Sequence, residues 1–102
     1  MVNLTHLSVR EAADDIASGE TSAQELVQEC LDWIYAREDE VGAFEYLDPD
    51  YVIEQARQLD NGPRLGPLHG VPVGIKDTYD TADMPTAYGS TIYEGNRPGA
   101  DA

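Results

Sequence analysis

Glycine and proline are spread so unevenly along this chain that they divide it in two. Five of its six prolines and seven of its nine glycines lie between Gly62 and Gly99. Proline removes a backbone donor and glycine loses the most conformational entropy on folding, so neither suits a helix interior. Long helices therefore belong before Asn61, and the stretch after it is predicted to form loops broken by short apolar segments. Glycine-rich loops carried on a scaffold are where chains commonly present their chemistry.

Local signals predict three helices in the first part. Ser8-Val9-Arg10-Glu11 matches a capping box and opens a helix that runs to Ser18, where Gly19 stops it. Thr21 and Ser22, followed three residues on by Gln24 and Glu25, open a second helix. Its Leu26, Cys30, Trp33 and Ile34 fall at i, i+4, i+7 and i+8, which predicts a buried stripe with Cys30 and Trp33 as core packing. Asp48-Pro49 starts a third helix with Val52, Ala56 and Leu59 inward, ended by Asn61-Gly62-Pro63. Two strands are predicted, Ala43–Leu47 from its alternating aromatics and Val71–Ile75 as a segment apolar on both faces, with Pro72 placed where no ladder donor is needed. Helices first, then strand, helix, strand, indicate an α/β or α+β architecture.

With 102 residues and 41% hydrophobic content the chain is at most one folded domain. A chain this short buries only about 60 to 70% of its unfolded surface, so its stability margin is thin. Twenty acidic residues against six basic ones leave a net charge of −14. Phosphate backbones and acidic membranes require clustered cations, whereas the five arginines here are scattered singly; neither nucleic acid nor membrane is an expected partner. The excess reads as a solvated acidic surface that keeps a protein soluble at high salt, and hence as a salt-loving source, with an ordinary acidic cytosolic protein as the alternative. Cys30 is the sole cysteine, no basic-then-apolar leader opens the chain, and no run approaches the ~18 apolar residues of a membrane span. A cytoplasmic location is the expectation. His6 and His69 stand too far apart for a zinc-type ligand set, and no metal or cofactor is expected.

One segment carries chemistry. Gly66-Pro67-Leu68-His69-Gly70-Val71-Pro72-Val73-Gly74-Ile75-Lys76-Asp77 closely resembles the lysine-bearing segment of the amidase-signature family. The resemblance continues through Asp80, Met84-Pro85-Thr86, Tyr88-Gly89-Ser90 and Arg97–Ala102, and reaches back to the Ser18–Ser22 turn. It implies the amino-terminal helices and first strands of a mixed-sheet amidase-signature fold, helical over 1–40 with a strand, helix, strand and catalytic-lysine loop region over 41–102. It also implies hydrolysis of a small-molecule carboxamide to a carboxylate and ammonia or an amine. In that family a serine attacks the carbonyl, a second serine in a cis peptide relays its proton, and a neutral lysine accepts it. The matching lysine is Lys76, the only catalytic residue expected within these residues; the two serines are expected in a Gly/Ser-rich stretch downstream, leaving this piece inactive alone. General amidases are the nearer likeness, with the glutaminase subunit of a tRNA-dependent amidotransferase and a non-catalytic acidic assembly module as alternatives.

The residues themselves support Lys76 beside the resemblance. It is the only lysine in a chain that otherwise uses arginine, and arginine cannot surrender a proton. Val73 and Ile75 precede it, so burial is expected to favour the neutral amine. Ser8, Ser18 and Ser22 are expected to be spent on helix caps and turns and Ser90 on a loop, His69 to satisfy a backbone carbonyl or to face water, and Asp77 to pin the following loop. Tyr79, Tyr88 and Tyr93 suit either packing or an amide pocket. An uncovered strand edge leaves homo-oligomers open.

Overall fold

The computed structural model describes residues 3–102. Its regular elements are α1 (Val9–Ser18), α2 (Ala23–Val41) and α3 (Pro49–Asn61), with single 3₁₀ turns at Leu4–His6 and Thr91–Tyr93. The chain divides into two compact units. One comprises Met1–Ala43 with Asp48–Pro72, the other Phe44–Leu47 with Val73–Ala102.

The helix ends follow the local chemistry that predicted them. Ser8 Oγ accepts from the Glu11 N–H at 3.1 Å while a Glu11 carboxylate oxygen accepts from the Ser8 N–H at 3.1 Å, a complete capping box. The Ser8 backbone N–H, the larger cause, and then its hydroxyl favour the charged form and hold the Glu11 carboxyl below its ordinary range. Ser22 caps α2, accepting from the Glu25 N–H at 3.0 Å, and Asp48 caps α3, accepting from the Tyr51 N–H at 3.2 Å. Pro49 is the first residue of α3. Gly19 and Gly42 close α1 and α2 in the left-handed conformation.

In the helical unit Ala12, Ala13, Ala23, Leu26, Val27, Leu31 and Ala56 are buried. Four of these seven are alanines, so the unit relies on close helix approach as much as on the ~1.5–3 kcal/mol that a buried leucine or valine contributes. The buried stripe of α2 is Ala23, Leu26, Val27 and Leu31, with Cys30 and Ile34 half-buried beside it. Trp33 departs from the core position its spacing predicts. It is 49% exposed, set edge-to-face against His6 at 6.4 Å and beneath the Arg37 guanidinium at 5.7 Å. A ring with one wet face gains from both contacts. On α3, Ala56 is buried and Val52 and Leu59 half-buried, as their spacing predicts.

Two long-range contacts close this unit. Asp60, at the end of α3, accepts from the N–H groups of Ala23 and Gln24 at 2.7 and 2.9 Å, satisfying two orphan donors at the positive end of α2. Gly70 lies against α1 and α2 with φ +85°; a Cβ there would stand 2.9 Å from Ala23 Cβ and 3.3 Å from Ile16 Cδ1. Only glycine meets both the backbone angle and the approach.

Neither predicted strand forms. Residues 43–47 and 71–75 carry no ladder among the described residues, and Val73 and Ile75 are 73% and 50% exposed. The extended shape of such a segment is local, but a strand exists only by pairing with another, and a sheet is independently stable only with three or more strands or a packed face. These residues supply neither, so the elements that form here are helices and loops, and the α/β expectation is met only in its helical part. No helix among the described residues is long and apolar enough to cross a membrane.

Candidate functional site

Lys76 lies in the loop-built unit, at the first corner of a β-turn closed by the Tyr79 N–H donating to the Lys76 carbonyl at 3.1 Å. Its side chain is exposed and, among the described residues, makes no ion pair or hydrogen bond. The burial expected from Val73 and Ile75 is therefore not supplied by these residues, because both project into solvent.

The segment after the lysine is tightly held. The Asp77 carboxylate accepts from the Ala87 N–H at 2.9 Å, and its carbonyl accepts from the Tyr88 N–H at 3.0 Å. Thr86, 1% exposed, donates its hydroxyl to the Tyr79 carbonyl at 3.2 Å and shares a contact of 3.3 Å with the Thr81 hydroxyl. Asn96 ties the far side: its carbonyl accepts from the Thr86 N–H at 2.8 Å and its amide donates to the Thr86 carbonyl at 3.1 Å. Thr86 is thus the polar hub of a unit with almost no apolar core, and its burial is tolerated because every polar atom of it is bonded. No local sequence signal marks it, since its partners lie five to ten residues away.

Tyr88 takes a left-handed backbone, φ 56°, uncommon for a bulky residue. Its phenol donates to the Asp80 carboxylate and its ring meets Tyr93 edge-to-face at 5.3 Å. The hydrogen bond to Asp80, foremost, with burial and the neighbouring negative charges, pushes the phenol above its ordinary value. Of the three tyrosines singled out, Tyr88 and Tyr93 pack together and Tyr79 is 59% exposed. The Asp80 carbonyl accepts from the Ala102 N–H at 2.9 Å, and the Asp101 carboxylate accepts from the Ala82 N–H at 2.7 Å. Arg97 lies over the Tyr46 ring at 5.9 Å, joining 44–47 to the rest of this unit.

All four serines have backbone partners. Besides Ser8 and Ser22, Ser18 donates to the Asp15 carbonyl at 3.2 Å and Ser90 accepts from the Ile92 N–H at 3.2 Å. His69 bridges backbone groups of the helical unit: its Nδ1 accepts from the Leu65 N–H at 3.2 Å, which assigns the proton to Nε2, donating to the Leu59 carbonyl at 2.9 Å. It is structural. Burial, with Glu29 adding to it, pushes the Cys30 thiol up, which leaves it a poor nucleophile. Among the described residues no group of His, Cys, Asp and Glu could hold a metal ion.

Comparison with known proteins bears on the same stretch. The family model Amidase matches residues 25–102, a span that holds Lys76 and the whole of its turn. The A subunit of glutamyl-tRNA(Gln) amidotransferase from Salinispora arenicola is 44% identical over 106 aligned positions, covering 100% of this chain and 22% of the relative. The proteins of the same name from Thermobifida fusca and Chloroflexus aurantiacus are 45% and 42% identical, covering 100% and 96% of this chain and 21% of each relative. The chain therefore spans about a fifth of the length of the curated relatives it matches. No solved structure matches it.

Proposed function

The chain belongs to the amidase family, and from that premise we propose that it is the lysine-bearing part of an enzyme that cleaves a carboxamide C–N bond, with Lys76 as the catalytic base. The observation that carries this reading is that the only lysine of the chain falls within the family match, in the Gly66–Asp77 segment and at the head of an anchored turn. A base must release its proton as readily as it takes one. Lysine can be made to do so by burial, and arginine cannot.

In this mechanism a serine Oγ attacks the amide carbonyl and passes its proton through a second serine to the neutral Lys76 amine. The lysine returns that proton to the departing ammonia or amine, and water releases the acyl group by the same relay reversed. The four serines of residues 1–102 are engaged with backbone groups. Both reacting serines are therefore assigned to sequence outside these residues, as are the walls that bury Lys76. Residues 1–102 alone are then without activity, and both compact units are parts of one amidase domain.

The motif by itself favours a general amidase, but the names of the relatives favour the amidotransferase alternative. On this proposal the amide is the side chain of glutamine, the released ammonia serves an amidotransferase, and the chain works with other subunits in the cytoplasm. A general amidase acting alone on small amides is the second reading. Ammonia release by the complete enzyme tests both. Lys76→Ala and Lys76→Arg should each abolish it with the fold intact, and near-normal turnover in Lys76→Arg would reject Lys76 as base, since a fixed positive charge would then suffice. Glutamine as the preferred amide, with co-purifying partner chains, selects the amidotransferase; turnover of simple amides by a lone chain selects the general amidase.

A further inference from the structure

We infer that Asp77 is the positioning residue of the catalytic lysine, acting as a main-chain anchor and not as its counter-ion. The inference rests on the reading of Lys76 as base. Asp77 is the second residue of the turn that Lys76 begins, and a turn closed by one hydrogen bond between Tyr79 and Lys76 does not by itself fix where its first residue points. Here the turn is stapled to residues 86–88 at three points. The Asp77 carboxylate holds the Ala87 N–H at 2.9 Å, the Asp77 carbonyl holds the Tyr88 N–H at 3.0 Å, and the Tyr79 carbonyl takes the Thr86 hydroxyl at 3.2 Å.

The opposite side of this staple is itself constrained. Thr86 is fully buried and bonded on all sides, and Tyr88 is held in a left-handed conformation that a relaxed loop would leave. The side chain of Asp77 is committed to the backbone, and no ion pair joins it to Lys76 among the described residues. An acid adjacent to a catalytic lysine is ordinarily read as a charge partner; this geometry assigns it a different task.

The two assignments predict opposite behaviour for one conservative change. Asparagine keeps an oxygen that can accept from Ala87 but carries no charge, and alanine removes both. In the ¹⁵N-labelled 102-residue chain, Asp77→Ala should speed exchange of the Ala87 amide at least about tenfold, while Asp77→Asn stays within about threefold of the parent. In the complete enzyme, Asp77→Ala should lower kcat about 100-fold with KM within about twofold, the signature of a displaced catalytic group. Asp77→Asn should retain most of kcat with the limbs of its pH–rate profile unmoved. Unchanged exchange at Ala87 in Asp77→Ala, or a normal kcat there, overturns the anchor. An Asp77→Asn enzyme as poor as Asp77→Ala, or one whose pH profile shifts, overturns it in favour of a charge acting on Lys76. A complete enzyme that releases no ammonia from any amide refutes the amidase reading and Asp77's part in catalysis with it, while the exchange result still decides whether Asp77 holds the turn.

Discussion

Tyr88 shows how much a single residue of the loop-built unit is asked to bear. Its phenol is bonded to the Asp80 carboxylate, which stabilises the neutral form and pushes the group above the ordinary value of 10.0. A group raised in the folded state contributes stability that is fully present below its unfolded value and is lost as pH rises through the folded one. The phenol missing from a Tyr88→Phe variant should therefore titrate above pH 10 in an ultraviolet difference titration, and Asp80→Asn should bring it back down. A Tyr88 phenol titrating at the ordinary tyrosine value in the parent would deny the contact. Gly70 is the counterpart in the helical unit. With φ +85° and Ala23 Cβ 2.9 Å from any added carbon, Gly70→Ala should cost about 1–3 kcal/mol in urea unfolding. A loss under about 0.5 kcal/mol would mean that the loop is not seated on α1 and α2 as described. The four serines were legible at this scale, because a small polar side chain beside a helix end or turn has backbone partners within reach. Tyr88 in its left-handed conformation was not, since nothing in the residue type announces it.

Among the elements, all three helices stand where their caps and stop signals place them, because a cap and the donors it satisfies lie within three or four residues of each other. Which face is buried is a different matter. In α2 the predicted stripe contained Leu26 correctly but took Trp33 for Leu31, since periodicity ranks faces by apolar content and a tryptophan outweighs its neighbours even when it sits at the rim. The Asp60 clamp had no local signature, as its partners Ala23 and Gln24 are 37 and 36 residues away. Asp60→Ala should cost about 1–2 kcal/mol, comparable to losing a helix cap, and should loosen α2 at its first turn. Hydrogen exchange at the Ala23 and Gln24 amides checks it: both should exchange faster in Asp60→Ala, and an unchanged rate at both would show that the carboxylate does not hold them.

For the molecule as a whole, the net charge of −14 is met by only weak compensation. The ion pairs Arg10–Asp14, Arg37–Glu40 and Arg57–Glu54 each join neighbours on one helix and are exposed, a class worth about 0.3–0.5 kcal/mol apiece. Self-repulsion therefore persists at low salt and is screened as the Debye length falls from about 10 Å at 0.1 M to about 3 Å at 1 M. Raising sodium chloride over that range should lift the Tm by about 4–8 °C, the equivalent of roughly 1 kcal/mol for a chain of this size. A Tm indifferent to salt would remove the argument for a salt-adapted surface. By itself the sequence determined the helices, the net negative charge, the family and the position of its single lysine. Each of these depends on residue chemistry or on groups within a turn or two of one another. Only the tertiary structure decided that residues 43–47 and 71–75 form no strands, that Trp33 stays half in water, that Thr86 anchors the turn behind Lys76, and that Lys76 itself is uncovered. Those outcomes depend on partners far away along the chain: a strand needs another strand, a buried side chain needs something to lie over it, and no local pattern records whether the partner is there.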